Sequence, residues 1–376
     1  MEGITVRQEA AAKGKTRDSN LELFRIIAMF LIVLHHYVVN SGLTNEGGVI
    51  FSDPFSWRSL ALLFLGVFGK AGTNCFLMIT GYFMCTSRIT AKKFMKLFGE
   101  VVFYNVIIYI IFLVAGYEQL TPNSVLVAVF PFSIISINFI GCYLAFFLFI
   151  PFLNKLVQAL SEKQHIYLLL LCGFVYIALG TAHRITFNYL GWFIVLYLIA
   201  SYLRLYPKKF YDSTRLWAAL TALSAVLLCA GVVFGLWIYQ RTGENLYYFF
   251  AIDSNSFLPV MFGVSSFMLF RNLKIPQSRV INTIAASSFG VLCIHANSGA
   301  MRMWLWRDTL DNVGHYSPLH AVACALGVYA ACTLIDMARI RLVEVPFFRL
   351  WDRKFPPIAE KFKAWEAKRF GKPNIK

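Results

Sequence analysis

The sequence predicts an all-α fold: a polytopic transmembrane helix bundle of about ten spans, with both termini cytoplasmic. Three observations carry that expectation. Hydrophobic residues fill 58% of the 376 positions and charged residues only 14%, against about 45–50% and about 25% in soluble domains. The apolar residues fall in runs near the ~20 residues that cross a ~30 Å hydrocarbon layer. Basic residues are unevenly shared between alternate loops. A soluble fold of this composition would need many buried helices and almost no surface, so it is excluded.

The elements follow in order. Residues 1–20 (MEGITVRQEAAAKGKTRDSN) are polar and basic and read as a disordered cytoplasmic tail. The apolar run at 21–42 has no small-residue cleavage site after it, so it reads as a retained span and not a signal peptide. Nine more spans are expected at 60–86, 94–116, 138–158, 166–183, 189–206, 216–240, 254–271, 283–305 and 318–342, each bounded by polar or Pro/Gly punctuation. Between the third and fourth, residues 117–137 contain Pro122 and Pro131 and read as a short outer helix or a re-entrant piece. Residues 349–376 are basic with interspersed Trp351, Phe355, Phe362, Trp365 and Phe370, the pattern of a surface helix against anionic headgroups. No repeat or low-complexity block interrupts the chain, so residues 21–348 form one membrane domain between two tails.

The formal charge of +16 raises the possibility of nucleic acid, but its distribution fits a membrane protein better. With the N-terminus inside, only Arg58, Lys70, Arg184, Arg241, Arg302 and Arg307 fall outside, and the other 29 of the 35 Lys and Arg residues lie inside. An odd number of spans would scramble that asymmetry. The eight cysteines all sit inside apolar runs, without a CxxC pair or a metal-ligand spacing, so no metal is expected.

Ionisable residues inside spans are costly and therefore candidates for chemistry. The first span holds Arg25, ten residues, then His36. Eleven steps at 100° leave the two side chains about 20° apart around the helix and roughly 16 Å apart along it. Arg25 is either an anion-binding group near the inner surface or a snorkelling anchor. His36 is either a proton acceptor higher on the same face or, with His35, an interhelical contact.

The stretch NLELFRIIAMFLIVLHHY resembles the opening span of the acyltransferase family 3 membrane proteins, marked by Arg, ten residues and His. Four further features agree in order. Ile79, Thr80, Gly81 and Tyr82 resemble the family's Ser/Thr-Gly-Tyr turn. Lys92, Lys93 and Lys96 match a basic-basic-x-x-basic loop pattern usually built from Arg. SSFGVLCIH, ending in His295, resembles a late family segment, and Glu344, Val345, Pro346 and Phe347 resemble its Glu-x-Pro-Phe ending. The resemblance runs from about residue 20 to 352. Lysine in place of arginine loses bidentate phosphate geometry while keeping charge. Asn40, Ser41 and Gly42 stand where a related branch carries a further His and small residues.

The resemblance implies transfer of an acyl group, usually acetyl, from cytoplasmic acyl-CoA to a hydroxyl or amine of a glycan or lipid-linked sugar. The setting would be the plasma membrane, with membrane lipid as a partner and no nucleic acid. On that basis His36 is the general base, or the carrier of a covalent acyl-histidine relay between donor and acceptor on opposite sides, and Arg25 with Lys92, Lys93 and Lys96 meets the CoA phosphates. His295 is an orienting partner for His36 or an acceptor-site group, with Asn297 and Ser298 beside it. Glu344 either pairs with Arg25 or a lysine at the CoA entrance or marks a helix end. The competing reading is a secondary transporter or flippase for a polar solute. The scarcity of intramembrane Asp and Glu, and the lack of an inverted repeat, weigh against it.

Overall fold

The computed structural model describes residues 18–45, 47–135, 139–183 and 188–355, and the described residues contain no strand. In chain order the helices are α1 Ser19–Val39, α2 Trp57–Met84, α3 Ala91–Val114, α4 Pro122–Val129, α5 Phe139–Ala159, α6 Glu162–Ala182, α7 Tyr189–Leu205, α8 Thr214–Thr242, α9 Phe257–Asn272, α10 Arg279–His295, α11 Gly299–Thr309 and α12 Pro318–Phe355. The protein is a polytopic α-helical membrane protein. Nine of the ten expected spans coincide with a single helix, and α4 supplies the short helix in the Pro122 segment, its first turn capped by the Thr121 side chain.

Among the described residues seven helices (α1, α2, α3, α5, α6, α8 and α12) are long and apolar enough to cross a membrane alone, and α10 with α11 makes an eighth if counted as one broken span. Of the expected spans the remaining two, α7 and α9, have 17 and 16 residues. At about 1.5 Å per residue they reach about 25 Å, short of a ~30 Å layer. Length and composition therefore support seven or eight spans.

The two expected tails fall largely outside the described residues, as does Arg184. Where the described chain begins, Ser19 and Asn20 already belong to α1: the Ser19 hydroxyl donates to Asn282 Oδ1 at 3.0 Å and the Asn20 amide to the Phe270 carbonyl at 2.9 Å. At the other end α12 does not stop at Glu344–Pro346. It widens into a π-helical turn over Ile340–Glu344 and then continues to Phe355.

The ninth expected span is the one most changed by the structure. Instead of one helix over 283–305, the chain bends by 97° between α10 and α11. Asn297, Ser298 and Gly299 supply the break, and the Ser298 hydroxyl caps the new helix by accepting from the Met301 amide.

α1 is the hub, with α2, α9, α10 and α12 packed around it. Without a hydrophobic driving force between helices in lipid, tight association needs small residues that let backbones approach. α2 meets that need at Gly69 and Gly72. A Cβ at Gly69 would lie 2.1 Å from His35 Cβ, and one at Gly72 would lie 2.8 Å from the Ala28 carbonyl oxygen. α2 also breaks just before Gly69, and the Gly66 carbonyl beside the break accepts a hydrogen bond from His35 Nδ1 at 2.7 Å. Gly69→Ala is expected to cost about 1–3 kcal/mol through forced overpacking. A thermal melt in detergent should show a clear drop, and an unchanged midpoint would contradict the close approach of α1 and α2.

A buried ionic cluster ties α3 and α12 together. Arg339 lies 2.8 Å from Asp336, 3.0 Å from Glu344 and 3.3 Å from Glu100, all four being buried, and the Tyr104 phenol donates to Asp336 at 2.8 Å. The π turn makes the Arg339–Glu344 pair possible, because a widened turn brings residues five apart onto one side. Gly290 on α10 makes room for the cluster, since a Cβ there would lie 2.4 Å from Asp336 Cγ. This corrects the expectation that acidic residues are nearly absent from the spans.

Candidate active site

α1 is unbroken from Ser19 to Val39, so the shared face of Arg25 and His36 survives in the fold. His36 is half-buried, and its Nδ1 lies 2.9 Å from Nε2 of the fully buried His295 at the end of α10. The Nδ1 of His295 lies 2.6 Å from the Val291 carbonyl one turn back. A carbonyl oxygen can only accept, so the proton of neutral His295 is on Nδ1. Its Nε2 then accepts, and His36 Nδ1 is the donor. Neutral His36 is thereby left with its lone pair on Nε2, an atom without a hydrogen-bond partner among the described residues.

Arg302 and Lys70 are cations that act electrostatically on His36. Arg302 sits in the first turns of α11, where its Nε donates to the Ser298 carbonyl at 3.1 Å. Lys70 on α2 donates to the Tyr189 phenol at 3.3 Å and lies 3.9 Å from Asp253. Trp306 closes one side, its ring 6.4 Å from that of His295 and set edgewise at 79°. His35 faces elsewhere: besides its bond to Gly66, its ring stacks 6.2 Å from Tyr248. The two neighbouring histidines therefore have different hydrogen-bond partners, as their 100° offset on the helix requires.

At the opposite end of α3 the three lysines share one exposed stretch of helix, with Thr90 as its cap. Lys92 reaches both oxygens of Asp352 at 2.7 Å, Lys96 reaches Glu344 at 2.7 Å, and Lys93 donates to the Arg88 carbonyl at 2.9 Å. Glu344 thus takes a lysine and Arg339 as partners and not Arg25. Arg25 bonds Glu22 at 2.8 Å, because a residue one turn back on the same helix is its nearest carboxylate. No contact joins Arg25 to the three lysines.

A model of acyltransferase family 3, described as an acyltransferase domain, matches residues 18–337. The chain belongs to acyltransferase family 3. Neither the curated proteins nor the solved structures give a match. The family match takes in Arg25, His36, the lysine stretch and His295, and it ends before Glu344.

One family-like segment looks different in three dimensions. The Ile79–Tyr82 stretch is not a turn but the last part of α2, where Gly81 lets α7 approach: a Cβ there would lie 2.9 Å from Ala200 Cβ. Tyr82 is a gathering point that the sequence does not reveal. Arg204 Nη1 and Arg271 Nε, from the ends of α7 and α9, donate to its phenol oxygen at 3.0 and 3.2 Å. Arg204 also lies 4.7 Å from the Tyr82 ring centre. The only hint of this pair in the sequence is that each arginine closes a helix. A cavity of about 1120 Å³ between α6, α8 and α9 is apolar and contains none of these residues.

Proposed function

We propose that this membrane acyltransferase moves an acyl group, acetyl in the simplest case, from cytoplasmic acyl-CoA to a hydroxyl of a glycan or lipid-linked sugar at the plasma membrane. The observation that supports this reading best is the His36–His295 pair, which leaves a basic nitrogen free at His36 Nε2. In the proposed reaction that nitrogen takes the proton of the acceptor hydroxyl as its oxygen attacks the thioester carbonyl. The C–O bond forms, the tetrahedral oxyanion collapses, and the C–S bond breaks. The proton held by His36 ends on the departing CoA sulfur, so the reaction is balanced without a further reactant. Arg302 and Lys70 are the cations placed to favour the oxyanion. His295 acts as a positioning residue by fixing the His36 tautomer.

CoA carries several phosphates, which the start of a long helix with lysines beside it suits. Asp352 and Glu344 already partner Lys92 and Lys96, so Lys93 is the least compensated of the three. Arg204 and Arg271, whose planar guanidinium groups match phosphate oxygens better than an ammonium does, meet at Tyr82 near the end of α2 that leads into the lysine-bearing helix. Lys92→Glu with Lys93→Glu is expected to raise the KM for acetyl-CoA about tenfold or more, about 1.4 kcal/mol, with kcat little changed. An unchanged KM in a folded variant would reduce the lysines to topology signals. Donor binding also separates this reading from that of a transporter, which has no need of acetyl-CoA.

A further inference from the structure

We infer that the polar cavity between α3, α4 and the α10–α11 break is the acceptor subsite, and that it takes a single uncharged sugar ring through its hydroxyls. The inference rests on the acyltransferase reading above and adds to it a place and a chemical class. The cavity measures about 250 Å³ and is lined by Asn105, Tyr109, Glu118, Ser124, Asn297 and Ser298 among others. Sites for drug-sized molecules run to about 300–1,000 Å³, so this one suits one ring and not an extended chain.

Its position follows from the broken helix. Asn297 and Ser298 are the break residues, two and three places beyond the His295 that bonds His36. Irregular backbone at membrane depth is tolerated where it lines a polar cavity, and this break does so. The cavity lies at the far end of α3 from Lys92, Lys93 and Lys96. Donor phosphates and acceptor ring would therefore approach from opposite ends of the bundle.

Its chemistry follows from what the two asparagines leave unspent. Asn297 uses both N–H donors, one on Asn105 Oδ1 at 3.1 Å and one on the Cys293 carbonyl at 2.9 Å. That leaves the Asn297 Oδ1 as an acceptor and the Asn105 NH2 as a donor, side by side in the cavity wall. Adjacent hydroxyls on a ring, each able to donate and accept, match such a pair. Tyr109 forms another wall, held by its phenol donating to the Gln119 carbonyl at 3.1 Å. Among the described residues Glu118 is the one carboxylate in the lining and no Lys, Arg or His joins it, so an anionic sugar finds no counter-charge there.

The test uses the full chain in proteoliposomes with labelled acetyl-CoA and three methyl glycosides as acceptors: a neutral hexoside, a uronate and an amino sugar. The expected result is transfer to the neutral hexoside first. Asn105→Ala, Asn297→Ala and the milder Glu118→Gln should each raise its KM tenfold or more, with the KM for acetyl-CoA unchanged. Preference for the uronate or for the amine, unchanged acceptor KM in all three variants, or CoA release to water with no glycoside accepted would each overturn the subsite while leaving acyl transfer standing. Absence of acetyl-CoA binding would bring down the acyltransferase reading itself, and this inference with it.

Discussion

Replacing His36 with asparagine is expected to cut acyl transfer by at least about a hundredfold, the lower end of what general-base catalysis contributes, with acyl-CoA binding and folding retained. Asparagine places an amide N–H near the position of imidazole Nδ1, so the bond to His295 Nε2 survives while the basic Nε2 disappears. The loss should therefore appear in kcat and not in donor affinity. His35→Ala is the contrasting variant. Its imidazole is engaged with the Gly66 carbonyl and Tyr248, so its removal should cost stability and little turnover. His295→Gln should fall between the two, since it disturbs the tautomer of His36 without removing the base. Single-turnover CoA release and a thermal melt on each variant separate these effects. If His35→Ala were the inactive one, the base would be His35. If both variants kept near-normal transfer, α1 would not be the catalytic element.

The second large effect is expected at Arg339. One guanidinium serves Glu100, Asp336 and Glu344 in a buried setting, with Lys96 pairing with Glu344 from the exposed side. Removing one partner of a buried pair leaves uncompensated charge and typically costs about 3–5 kcal/mol. Arg339→Met strands three carboxylates at once, so the variant should fail to accumulate as a monodisperse species in detergent. Arg339→Lys should rescue only partly, because an ammonium cannot present a fork to several acceptors. Glu100→Gln should be tolerated far better, since it lowers the acidic load on the same arginine. A loss near 1 kcal/mol or less for Arg339→Met would show that the cluster is hydrated or otherwise compensated.

Most of the architecture is legible in the sequence because a membrane turns composition into geometry. Runs of about twenty apolar residues have few alternatives to a spanning helix, and α1, α2, α3, α5, α6, α8 and α12 lie where such runs are. The meeting of Arg25 and His36 on one face is legible for the same reason, since helical periodicity is local. Contacts between helices are not. Nothing in the chain announces that His36 Nδ1 meets His295, 259 residues away, beyond both being histidines inside apolar runs. The α10–α11 break hides inside a run that is apolar on average, and Asn297, Ser298 and Gly299 mark it only in retrospect. The ionic cluster was missed because Glu100 and Asp336 are single acids within apolar stretches, whereas Arg339 passes for one more basic residue at an inner helix end. The pairing of Glu344 with a lysine was open to sequence reasoning. Its pairing with Arg339 depends on a π turn that sequence does not forecast.

The most direct test of the central claim separates donor binding from transfer in one preparation. Purified full-length wild type and His36→Asn in lipid nanodiscs would be titrated with acetyl-CoA by calorimetry. Both would then be mixed with a polyhydroxyl acceptor while free CoA thiol is followed. The account predicts equal acetyl-CoA affinity in the two proteins and acceptor-dependent thiol release in the wild type alone. Equal release by both proteins, or no acetyl-CoA binding by either, would contradict it.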